Sequence, residues 1–326
     1  MLAARAYAGP YPAWPAPTAE ACRAVAERLA AVHGWPHLKR QQGLPAVGCE
    51  ERRTVLDSLV RTLLSQNTTD KTSGRAFATL KQRFPSWEAV RQAPLEDVAD
   101  AIRVGGLAEI KAGRIQHILG TLKAERGECS LEHLRGLSAT EVKAELGRFK
   151  GVGAKTISCV LLFGLGQDDF AVDTHVWEIS KALGWAPLNA SRDQAYSHLN
   201  ELVPDDLKYD LHVLLVNHGK KCPACAKTGS AKHRSAIENG AAASCPIAEF
   251  KPPPSTLKPY PSSKPRGGKN SGKKAAAAAD GSKGARKAAA AGSSEGEQAP
   301  RGGGKRQKVA AAADEGAVAA AAQTDN

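Results

Sequence analysis

The sequence predicts an all-α protein whose folded part spans roughly residues 18–250, followed by a basic tail with no core of its own. Three observations carry that prediction. Apolar residues recur at three- and four-residue spacing through most of this region. No run alternates as a half-buried strand would. Ser, Asp, Pro and Gly stand where helices begin and end.

Taken in order, residues 51–66 place Val55, Leu56, Leu59, Val60, Leu63 and Leu64 on one face of a helix. The next stripe is Ala76, Phe77, Leu80 and Phe84, closed by Pro85. Ser86 can cap the run WEAVRQA, and Pro94 suits the first turn of PLEDVADAIRV, which Gly105 ends. A helix through Ile110, Ile115, Ile118 and Leu122 stops at Gly127. Ser138 with Glu141, and later Ser191 with Gln194, form capping boxes. Between them lie a helix over 154–165 and another entered at Asp173. A last helix carries Leu207, Leu211, Leu214 and Leu215 and is expected to close before Gly219.

Charge divides the chain. The whole carries 45 Lys+Arg against 33 Asp+Glu, a net +12. Residues 251–326 alone hold 14 basic and 6 acidic side chains, a net +8, with Tyr260 as their one aromatic. Such a composition cannot bury enough apolar surface to offset the entropy of ordering, so a disordered tail is expected. Its runs 264–274 and 302–308 suit polyanion attraction or nuclear import, and a plain solubilising role is the alternative. Residues 1–17, broken by Pro10, Pro12, Pro15 and Pro17, read as a flexible lead with a weak transit-peptide character. No stretch of 18 apolar residues is present, so no membrane span is expected. The seven cysteines, an odd number, read as reduced thiols of an intracellular protein.

The segment LGRFKGVGAKTIS turns between two helices on Gly151, Val152 and Gly153. The glycines permit angles and approaches that a side chain forbids. The first amides of the following helix suit a DNA phosphate, which makes the segment a helix-hairpin-helix that holds backbone rather than reading sequence. Lys155 lies in that first turn, and Asp173 starts a helix 18 residues later. A protonated lysine cannot attack; burial and the positive helix end both disfavour its charge. A neutral amine attacking a deoxyribose C1′ would expel the base and form a Schiff base, with Asp173 as proton acceptor and counter-charge. Lys155 could also merely contact phosphate, and Asp173 could merely cap its helix.

The stretches LLSQNTTD (63–70), VGGLAEIKAGRI (104–115), GRFKGVGAKT (147–156) and AVDTHV (171–176) resemble, in order and spacing, the HhH-GPD superfamily of DNA glycosylases, most closely the endonuclease III branch. The resemblance implies a two-lobed helical fold. One lobe would be 48–167, and the other 18–47 with 168–250. It implies Lys155 as the Schiff-base lysine and Asp173 as the essential aspartate. It places Asn67 where the family fills the gap left by an extruded base, with Gln66 as the alternative, and Leu107 as a wedge in the opposite strand. A lysine at 155 implies a bifunctional glycosylase and lyase, and the resemblance as a whole implies that it acts on damaged, oxidised pyrimidines in duplex DNA as a monomer. The run LGW after the aspartate is similar to plant 5-methylcytosine glycosylases, which keeps that activity as an alternative beside a non-catalytic DNA-binding protein. The compartment implied is the nucleus, with mitochondrion or chloroplast as alternatives. The endonuclease III branch carries four cysteines around a [4Fe–4S] cluster, whereas this sequence supplies Cys222, Cys225 and Cys245, with His233 as a candidate fourth donor. An altered iron–sulfur site, a zinc site and a metal-free loop are the three readings.

Overall fold

Helices account for the regular structure, and no strand occurs among the described residues. The structure is a computed structural model; it describes residues 7, 9–14, 16–41, 54–225, 235, 238, 240 and 244–261. All of these belong to a unit spanning 1–265; the basic runs of the tail lie outside the described residues, as does His233.

The helices are α1 (Ala19–His33), α2 (Pro36–Gln41), α3 (Val55–Leu64), α4 (Asp70–Arg83), α5 (Trp87–Gln92), α6 (Leu95–Ile102), α7 (Ala108–Arg126), α8 (Ala139–Gly147), α9 (Ala154–Cys159), α10 (Thr174–Ala182), α11 (Arg192–Leu202) and α12 (Asp205–Lys221). Their ends follow from local chemistry. Thr18, Thr54, Thr69, Ser86, Ser138, Asp173 and Ser191 each accept a backbone N–H of the first turn they precede. Each such cap stabilises its helix by about 1 kcal/mol. Gly127 closes α7 in the left-handed conformation, φ 77°.

Two expectations need correction. The helix expected over 154–165 changes at Val160 into a π-helical segment, Val160–Leu165. There a Cβ at Gly164 would come 3.0 Å from the Ser58 side chain, so α3 approaches closely enough that a larger residue would have to push Ser58 aside. The last helix does not close before Gly219 but runs to Lys221. Gly219 serves packing instead of termination: a Cβ there would sit 2.7 Å from His175 Nδ1 on α10.

The core forms two apolar clusters. The first draws on Val55 through Leu161. The second joins Tyr11 and the inner face of α1 to residues from Phe170 to Ile247. Tyr11 is thus buried within the segment read as a flexible lead, and the Tyr7 hydroxyl meets His198 Nδ1 at 2.6 Å. The start of the basic tail is also engaged. Lys258 O accepts from Leu188 N, and Tyr260 exchanges two hydrogen bonds with Asn189.

Candidate active site

The hairpin between α8 and α9 is shaped around Arg114. Gly151 has φ 89°, and a Cβ there would come 2.7 Å from the Arg114 guanidinium. Arg114 donates to Gln66 Oε1 at 3.3 Å, and Gln66 Nε2 in turn donates to Gly151 O and Thr156 Oγ1. Gln66 therefore fastens the end of α3 to the hairpin. Val152 is buried in the first cluster, and its N–H donates to Phe149 O at 3.0 Å. Its amide is consequently spent on the turn and is not open to a phosphate. Gly153 starts α9 with no side chain to cap it.

Lys155 stands half-buried in the first turn of α9. Asp173 stands half-buried before α10, and its Oδ1 accepts Val176 N–H at 2.8 Å. Both line a single cleft of about 1130 Å³, together with Gln66, Asn67, Gly151, Val152 and Gly153. The lining also includes His212, Val216 and Lys220, one face of α12 at helical spacing. Lys220 pairs with Asp70 across the cleft.

His212 escaped the sequence reading because it sits in a leucine-rich helix. Its ring nitrogen Nδ1 lies 2.7 Å from Ala171 O, and a carbonyl only accepts, so Nδ1 carries the proton. Burial pushes its pKa down to about 4, with the Asp173 carboxylate pulling it up and the Lys155 cation pushing it down. Both charged groups are near enough to act on this ring, which stays neutral at working pH. Behind the cleft, buried Asp169 gathers Ser158 Oγ of α9, Lys143 Nζ of α8 and the Tyr196 hydroxyl of α11. That junction fixes α9, and with it Lys155.

Asn67 and Leu107 are the non-glycine residues with positive φ among the described residues, at 55° and 52°. Both are exposed, Leu107 by half. Asparagine tolerates this conformation; for leucine it costs about 1 kcal/mol. Leu107 lies apart from the residues lining the cleft. The loops bearing the two are tied together by Lys111, a fully buried lysine that donates to Leu64 O and Gly105 O, each at 2.9 Å. Burial lowers its pKa.

Cys222, Cys225 and Cys245 come together as expected from the sequence, and the fourth donor among the described residues is His218; the suggested His233 lies outside them. His218 and Cys222 are four residues apart at the end of α12 and so share a face. The four donor atoms lie within 4.8 Å of one another. This set does not fit the four-thiolate cluster of the endonuclease III branch, since it offers three thiolates and an imidazole in a small space.

Comparisons with known proteins identify the family. A family model described as HhH-GPD superfamily base excision DNA repair protein matches residues 60–205. A putative DNA glycosylase of Arabidopsis thaliana is 50% identical over 238 residues, covering 67% of this chain and 81% of that protein. The Arabidopsis thaliana DNA glycosylase/AP lyase ROS1 is 31% identical over 172 residues, covering 45% of this chain; the chain spans only 12% of that longer protein. Among solved structures, a trapped endonuclease III–DNA covalent intermediate aligns with TM-score 0.54 at 23% identity, covering 66% of this chain and 92% of that one, a likeness of fold. The chain belongs to the HhH-GPD superfamily of base excision DNA repair proteins and is a DNA glycosylase with the endonuclease III fold.

Proposed function

We propose that the protein is a bifunctional glycosylase and lyase that removes oxidised pyrimidines from duplex DNA through a Schiff base on Lys155. The observation that carries this reading is the shared cleft: Lys155 and Asp173 open onto one solvent-accessible space, with the neutral His212 ring near both. The cleft has room for a nucleotide turned out of the helix. Asn67 and Leu107, exposed on loops held side by side, would occupy the vacated stack.

The neutral Lys155 amine attacks C1′ of the extruded nucleotide. The glycosidic bond breaks, and the base leaves with its electron pair and takes up a proton. Opening of the sugar ring gives an iminium on Lys155. Loss of a C2′ proton breaks the C3′–O bond and cuts the strand, and water then releases the amine. Asp173 balances the cation that develops on the sugar and accepts the proton the amine sheds. A protonated ring at 212 would place a second cation beside Lys155, and burial of His212 prevents this.

The test is reductive trapping. The protein is incubated with duplexes holding thymine glycol, 5-methylcytosine or an abasic site, and borohydride is added. A covalent adduct on thymine glycol that Lys155→Gln abolishes supports the proposal. Trapping on 5-methylcytosine but not thymine glycol moves the substrate to the class implied by the LGW run. Binding without adduct or base release leaves only a DNA-binding role. A monomer acting in the nucleus is the accompanying proposal, resting on the basic tail.

A further inference from the structure

We propose that His218, Cys222, Cys225 and Cys245 hold one structural zinc ion, so that this chain replaces a four-iron cluster by a single tetrahedral centre. The argument is one of spacing. Zinc binds thiolate sulfur at about 2.3 Å and imidazole nitrogen at about 2.0 Å, so the edges of its tetrahedron measure about 3.5–3.8 Å. His218 Nε2 lies 3.2 Å from Cys225 Sγ and 3.5 Å from Cys245 Sγ, and the two sulfurs are 3.6 Å apart. These three edges, the first a little short, match one face of a tetrahedron around one ion, and Cys222 Sγ lies within 4.8 Å of the other three donors. In a cubane cluster each thiolate binds a different iron at a separate corner, which holds the sulfurs much farther apart.

The surroundings match a closed site. His218, Cys225 and Cys245 are buried, and Cys222 is half-buried at the rim. An imidazole that binds through Nε2 carries its proton on Nδ1, and His218 Nδ1 has His33 Nε2 of α1 at 3.4 Å as acceptor. Three thiolates and one divalent cation leave a net charge of −1. Lys251 supplies the compensating cation, with Nζ 3.1 Å from Cys225 Sγ. Four protein donors leave no open position, so the ion is structural. It joins the end of α12 to the segment carrying Cys245 and Lys251, and through His33 to α1. The same helix lines the catalytic cleft with His212 and Lys220.

The experiment uses the full chain produced with iron and zinc both supplied. One zinc per chain and no broad visible absorption are expected. Four irons per chain with such absorption would overturn the proposal. So would a metal-free protein, whether its thiols are free or Cys225 and Cys245 are cross-linked in a disulfide. Cobalt added to the metal-stripped chain should bind one to one with the intense ligand-field bands of a tetrahedral site. His218→Cys tests the fourth donor without emptying the site. It should keep one cobalt per chain and raise thiolate-to-metal charge transfer by about one third, from three thiolates to four. An unchanged spectrum in that variant would remove His218 from the ligand set, and the assignment with it.

Discussion

The two apolar clusters are held in different ways. The first, from Val55 to Leu161, comes from one continuous stretch of chain and is filled mainly by Leu, Ile, Val and Ala. The second is assembled from segments far apart in sequence and fastened by specific polar bonds. Tyr7 meets His198, and the His37 backbone N–H and ring Nδ1 both face the Asp210 carboxylate. Every buried histidine among the described residues, His198, His212 and His218, lies on its side of the molecule. The contrast shows two routes to a core. Neighbouring helices can pack on contacts close in sequence, whereas distant segments gain register from partners that only one arrangement satisfies.

The strongest way to break the first cluster is a cavity. Leu59→Ala, at a fully buried position of α3, should cost about 3 kcal/mol in urea unfolding. In the second cluster, His198→Ala leaves Ala16 O and Trp185 O without their shared donor and the Tyr7 hydroxyl without its acceptor. A cost of about 2 kcal/mol is expected, with Tyr7→Phe costing less.

Acid sharpens the comparison next. The folded pKa of His212 is about 4, below its ordinary value near 6.5, and burial lowers those of His198 and His33 as well. Between these limits the unfolded chain binds more protons than the folded one. Stability is therefore full above pH 6.5 and falls as pH drops toward 4. His212 alone should account for roughly 1 kcal/mol lost between pH 7 and pH 5.5, and His212→Asn should flatten that part of the curve. A pH-independent difference between the two proteins would refute the assignment. At the small end, Arg23→Ala removes an exposed ion pair and should leave the urea midpoint within error.

Much of this was legible where local chemistry decides. Ser86, Ser138 with Glu141, Asp173, and Ser191 with Gln194 start helices as their types and spacing require, and Gly127 ends one. Lys155 and Asp173 were legible as a pair because each begins a helix, and helix starts on either side of a short loop reach one cleft. What stayed hidden depends on contacts across the fold. Gly164 of the π-helical segment meets Ser58, and Gly219 of α12 meets His175, both contacts between segments far apart in sequence. Gln66 stood beside Asn67 as the alternative for filling the gap left by an extruded base, yet its amide is bonded to the hairpin. His212 and His218 lie on different faces of one helix, and only the neighbours of each face reveal what it serves.

Leu107 carries one more implication. Gly106, just before it, already adopts the same sign of φ without strain, so relief was one substitution away. Keeping an exposed leucine in that posture gives up some stability of the resting protein. With Leu107 as the proposed wedge, the benefit arises while DNA is engaged, when a blunt hydrocarbon tip has stacked bases to press between and is no longer facing water.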